Sequence, residues 1–167
     1  MKKCAVSLLC ALLLCGCAGE ETFETIADEV LVPVMAQPRE ISVQLPDNAV
    51  APVLGTDSAQ VYLSTDYEII LETLSSGDIN ATIQAISGYE AEKLTILKTR
   101  QGDADRYEFV WACAGESGDR LGRAVVLDDG SHHYCMSVLR DTGDTGESQI
   151  VWSEVFDSFA LSQGNTE

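Results

Sequence analysis

Positive charge is what this sequence lacks most. Its 167 residues include 10 Lys and Arg against 27 Asp and Glu, a net charge of −17. Two of the cations, Lys2 and Lys3, belong to the extreme N-terminus, and without them 8 cations face 27 acids, a balance of −19. A surface of that sign repels phosphate backbones and anionic headgroups, which excludes DNA, RNA and polybasic membrane docking as functions. Histidine is scarce too: His132 and His133 are the only two, and they are adjacent. A zinc site needs three or four ligands converging on one point. Neighbours on a strand point to opposite faces, so only His133 and Cys135 share a side, which is too few. Both histidines are expected at the surface, at a hairpin end. No cysteine-enzyme motif surrounds Cys113 or Cys135, and no internal repeat is present. Beyond the N-terminus, no stretch approaches the roughly 20 apolar residues that a membrane-spanning helix requires.

The N-terminus itself is distinctive. After Lys2 and Lys3 there is no charged residue from Cys4 to Gly19, and leucine dominates. A basic head, a short apolar core and small residues beyond it describe an export signal. Its end, "LCGC", resembles the lipobox of bacterial lipoproteins: Leu14, a tolerated residue, small Gly16, then Cys17. That resemblance implies cleavage before Cys17 and acylation of its sulfur, with chains such as palmitate. Cys15 fits less well, because Leu14 would sit directly before the cut. Two or more acyl chains hold a protein stably on a membrane where one does not. The expectation is a signal over 1–16, lipidation at Cys17, and a protein tethered to the cell membrane outside the cytoplasm.

Residues 17–40 then read as an acidic tether, with an edge strand conceivable near 30–36, where Pro33 and Pro38 argue against a central strand. From Ile41 the pattern becomes that of a folded domain. "ISVQLP" alternates and stops at Pro46, and "AQVYLSTDYEIILETL" reads as two strands around a Ser-Thr-Asp turn. "GDINATIQAISGY" changes period: Ile79, Ile83 and Ile86 lie at helical spacing between an N-cap at Asp78 and a stop at Gly88. Four strand-like runs between residues 94 and 140, separated by Gly and Asp, predict an antiparallel meander. "SQIVWSEVFDSFALS" returns to helical spacing, with Val151, Val155 and Phe159 as one stripe widened by Trp152 and Phe156. The expected fold class is α+β, an antiparallel sheet with helices packed on its faces over residues 41–162, followed by a tail at 163–167.

The order of elements, the "ISVQLP" opening, the "TIQAISGY" helix and the closing Trp152, Val155, Phe156, Phe159 and Leu161 resemble the PsbP-like and Mog-type (Ran-binding) family. Its members are mostly non-catalytic binding or assembly subunits. One branch binds a small GTPase and another docks on a photosynthetic membrane complex. The resemblance implies a protein partner but carries no ligand motif, so no binding residue is transferred.

Three stretches invite chemistry. "DTGDTGES" holds Asp-Thr-Gly twice, at Asp141 and Asp144, as aspartic proteases do. Those enzymes face two carboxylates across opposed loops, which two copies in one loop cannot do, and Arg140 stands where an apolar residue belongs. Asp144 is instead expected to cap the last helix, with Glu147 in its first turn. Asp141, Asp144 and Glu147 lack the spacing of a calcium loop. Cys113 and Cys135 lie on strands two apart in the meander, about 9.5 Å from each other, beyond the roughly 7 Å between Cα atoms that a disulfide spans. Two separate buried thiols are expected, with Tyr107, Phe109, Trp111 and Cys113 on a core face. No cofactor and no metal are expected. The function implied is a lipid-anchored, non-catalytic binding or assembly module. The alternative is a small-molecule carrier or ligand sensor, marked by a pocket of aromatic residues with one or two convergent polar groups.

Overall fold

A computed structural model describes residues 36–49, 51–115, 118–141 and 146–162, with the backbone alone at 146–150. The signal, Cys17, the tether through residue 35, and the tail at 163–167 lie outside the described residues, as do Asp144 and the side chain of Glu147.

Strands are set by runs of branched and aromatic residues, and their ends by Gly and Asp. They are β1 (Ile41–Ser42), β2 (Leu54–Gly55), β3 (Ala59–Leu63), β4 (Tyr67–Ser75), β5 (Ile96–Gln101), β6 (Ala104–Gly115), β7 (Gly118–Asp128), β8 (His132–Asp141) and β9 (Ala160–Leu161). Two α-helices, α1 (Ile79–Ser87) and α2 (Gly146–Ser158), and one 3-10 turn at Ala91–Lys93 complete the described elements. One sheet runs β2-β3-β4-β8-β7-β6-β5, antiparallel throughout, and β1 pairs with β9 in a two-stranded sheet. Residues from Ala36 onward form one compact unit.

The turns follow from local chemistry. Gly102, at φ 63°, lets β5 reverse into β6. Between β7 and β8, Asp128 accepts a hydrogen bond from the Gly130 amide, and Asp129 accepts from Ser131 and His132 (2.8 Å each). These side chains satisfy amides the ladder leaves open. α1 begins at Asp78, whose carboxylate accepts from the Asn80 amide at 3.0 Å, and ends at Gly88 in the left-handed region, its N–H bonded to Gln84. Both are the stops written in the sequence.

The α+β expectation is corrected. The described residues are mostly antiparallel strand, with two helices of 9 and 13 residues, not a helix-rich domain. Helical periodicity stands out in a sequence, whereas pairs as short as β1, β2 and β9 leave no periodic trace. β1 is accordingly shorter than "ISVQLP" suggested: only Ile41 and Ser42 find partners, Leu161 and Ala160.

The core has two clusters, one on each side of the sheet. Tyr67, Ile69, Leu71, Val125, Leu127, Tyr134, Met136 and Val138 pack with Trp152, Val155, Phe156 and Phe159. Alternate positions on the same strands put Phe109, Trp111, Ala124, Val126 and Cys135 with Ile83 of α1. The α2 stripe differs from expectation at one place: Val151 is 44% exposed, because the buried face centres on Trp152, Val155, Phe156 and Phe159.

Candidate functional site

The histidine pair is not a surface feature. His133 is 0% exposed, beneath α1. Its Nδ1 is 2.8 Å from the Thr82 hydroxyl, and its Nε2 lies 3.7 Å from the Asp128 carboxylate with no hydrogen-bond partner. Hydroxyl, imidazole and carboxylate in sequence is the order of an acyl-transfer triad, but a ring closed off from solvent reaches no substrate. The Thr82–His133 hydrogen bond fastens α1 to β8. His132 is half-buried, its ring 5.9 Å from that of Tyr134. Among the described residues no group of three or more His, Cys, Asp or Glu converges as a metal site. Asp141 is the only acid of the 141–147 loop with a described side chain, and it is exposed, 3.6 Å from Arg120.

Both described cysteines are free. β7 lies between their strands, with Cys135 opposite Val126 and Cys113 opposite Arg120. That offset of six positions along β7 adds about 20 Å along the strand, so no disulfide can join them. The two differ in environment: Cys135 is buried but Cys113 is half-exposed, a correction to the expectation of two buried thiols. Burial, and secondarily the Glu72 carboxylate, push the Cys135 thiol up to about 12. A thiol is reactive only as thiolate. In the folded protein at pH 8, iodoacetamide should label Cys113 and leave Cys135 unmodified until denaturant is added, as peptide mapping would read. Labelling of Cys135 without denaturant would contradict its placement.

The arrangement that sequence reasoning missed lies where α2 crosses β6, β7 and β8. In one row across these strands Val110 stands opposite Arg123, and Arg123 opposite Val138; in the next, Leu121 stands opposite Arg140. With Trp152 and Phe156 they line a groove of about 320 Å³. The Arg123 guanidinium carbon lies over the Phe156 ring, 4.1 Å from its centroid, and Arg123 donates to Glu108 at 2.9 Å. The other Glu108 oxygen accepts from Arg106 at 2.8 Å. Burial disfavours the ionised Glu108, but the hydrogen bonds from Arg106 and Arg123 outweigh it and hold its pKa below the ordinary value. Arg106 is itself buried and donates to the Phe156 carbonyl (3.0 Å) and to Gln101 (2.7 Å). A cation at those last carbonyls is favourable for the helix dipole. Three cations of a strongly acidic chain thus gather on one side of the sheet. The signal was present as Arg106, Arg123 and Arg140, but only the register shows that they neighbour one another.

A larger cavity, about 580 Å³, opens beside Arg39, Gln101 and Asp103. There Arg39 is committed, held by both Asp103 oxygens at 3.0 Å and by the Ser162 carbonyl. The α2 groove is the better candidate because it joins apolar walls to cationic side chains. Compared with known proteins, the chain matches no protein-family model and no curated sequence.

Proposed function

We propose that this protein is a lipid-anchored, extracytoplasmic binding or assembly module that performs no catalysis, held on the membrane through acylated Cys17 and engaging a protein partner. The observation that carries the anchoring is the sequence "LCGC" at the end of an uncharged leucine-rich run. No described helix is long and apolar enough to cross a membrane. The acidic surface disfavours nucleic acid as partner, and the resemblance of residues 41–162 to PsbP-like and Mog-type proteins supplies a precedent for binding without chemistry. A second reading, a small-molecule carrier or ligand-sensing domain, is favoured by the α2 groove, where two aromatic rings and two guanidinium groups line one recess.

The anchor is tested by substitution. Cys17→Ala should abolish lipidation and leave uncleaved precursor, read as loss of acyl labelling and a larger band on gels. Cys15→Ala should change neither. Blocked processing in Cys15→Ala alone would move the lipidation site and refute the assignment.

A further inference from the structure

We propose that the groove between α2 and strands β6 to β8 binds a single-chain anionic amphiphile: an aliphatic chain ending in a carboxylate. This rests on the carrier reading and names its ligand class.

Shape and chemistry of the lining carry the inference. Val110, Leu121, Val138, Trp152 and Phe156 form apolar walls, and the volume of about 320 Å³ stands at the lower end of the roughly 300–1,000 Å³ that small-molecule sites span. That room accommodates one flexible chain. Val110 is 52% exposed, which is unfavourable for a valine in water and is relieved when an alkyl chain covers it.

Charge selects the head group. Among the described residues, the ionised side chains lining the groove are Arg123 and Arg140, both cationic, in a chain whose balance without its two N-terminal lysines is −19. Glu108 lies behind Arg123 and is satisfied by Arg106 and Arg123, so its charge is already matched. Arg123 spends one N–H on Glu108 out of the five a guanidinium has. The contact with the Phe156 ring and the Glu108 bond hold the guanidinium in place, so it is pre-organised to meet a carboxylate. The acidic exterior repels anions in general, so an anionic ligand is retained here only if its chain is also buried. That requirement separates an amphiphile from a simple carboxylate.

The test uses the mature chain from residue 17 with Cys17→Ser, which retains the whole compact unit from Ala36 onward. Trp152 lines the groove, whereas the other tryptophan, Trp111, packs on the opposite side of the sheet, so emission reports on the site. Dodecanoate, kept below its micelle concentration, should shift the emission saturably with one molecule bound per chain. Dodecanol should bind about tenfold more weakly or worse, about 1.4 kcal/mol, and acetate should give no shift. Arg123→Gln should remove the preference for dodecanoate over dodecanol. Val110→Glu places a carboxylate opposite Arg123 at an exposed position; it should keep the wild-type melting temperature and lose dodecanoate binding. Equal affinity for dodecanoate and dodecanol would overturn the ligand class while leaving a carrier. Silence toward both would remove the carrier reading as well. Displacement of dodecanoate by an acidic peptide at lower concentration would assign the groove to a protein partner and overturn the proposal.

Discussion

Gly122→Ala should destabilise the domain by about 3–5 kcal/mol, the range seen when a large aromatic is lost from a core. Gly122 sits in β7 directly opposite Trp111 in β6. The indole lies over it so closely that an added Cβ would fall within 2.6 Å of Cδ2, and nearer still to Cε2 and Cζ2. No carbon pair tolerates that approach. Trp111 is itself buried, 5.7 Å from the Phe109 ring, and shares the cluster of Ala124, Val126 and Cys135. It can make room only by leaving that cluster, which converts a single methyl into the effective loss of the ring. Ordinary overpacking, at about 1–3 kcal/mol, understates a clash against a rigid aromatic. The urea midpoint of the variant measures the effect. Gly122→Ala combined with Trp111→Leu should cost much less than the sum of the two single changes, because the clash disappears with the ring. A single variant that unfolds with the wild type would mean the indole does not rest on Gly122.

Phe156→Ala should cost a similar amount, about 3–5 kcal/mol, and lower the melting temperature by on the order of 10 °C. Phe156 is 1% exposed and joins α2 to Val125, Met136 and Val138 of the sheet. Its ring also supports Arg123, so its removal takes away one wall of the groove and the surface on which that guanidinium lies. The competing view treats α2 as a helix loosely held in the free protein and reserved for a partner. Under that view the melting temperature would not move and only partner capture would weaken.

What could be read from the sequence was local, and what could not was pairing. Asp78 and Gly88 bracket α1 because a carboxylate that caps amides and a residue free to adopt positive φ are single-residue properties. The same holds for the turns at Gly102 and Asp129. The Trp152, Val155, Phe156 and Phe159 face was visible because 3.6-residue periodicity survives in thirteen residues; Val151 was misplaced because a stripe seen without its partner sheet has no fixed edge. Fold class was overdrawn toward helix for the same reason. His133 is buried where the sequence suggests a surface position, because a strand pattern shows only that one of two neighbours points inward, not which side α1 covers. The Arg106–Glu108–Arg123 chain joins β6 to β7, and the groove needs β8 and α2 as well. Nothing in sequence spacing fixes that register.

The claim most central to this account is that the mature protein begins at an acylated Cys17. The measurement that meets it directly is the mass of the intact protein isolated from membranes, with fragmentation of its N-terminal peptide. The account predicts a chain lacking Met1 to Gly16, with the first residue Cys17 carrying a mass increment of two or more acyl chains. An unmodified N-terminus at any residue, or acyl mass on a peptide that still contains Gly16, would contradict it.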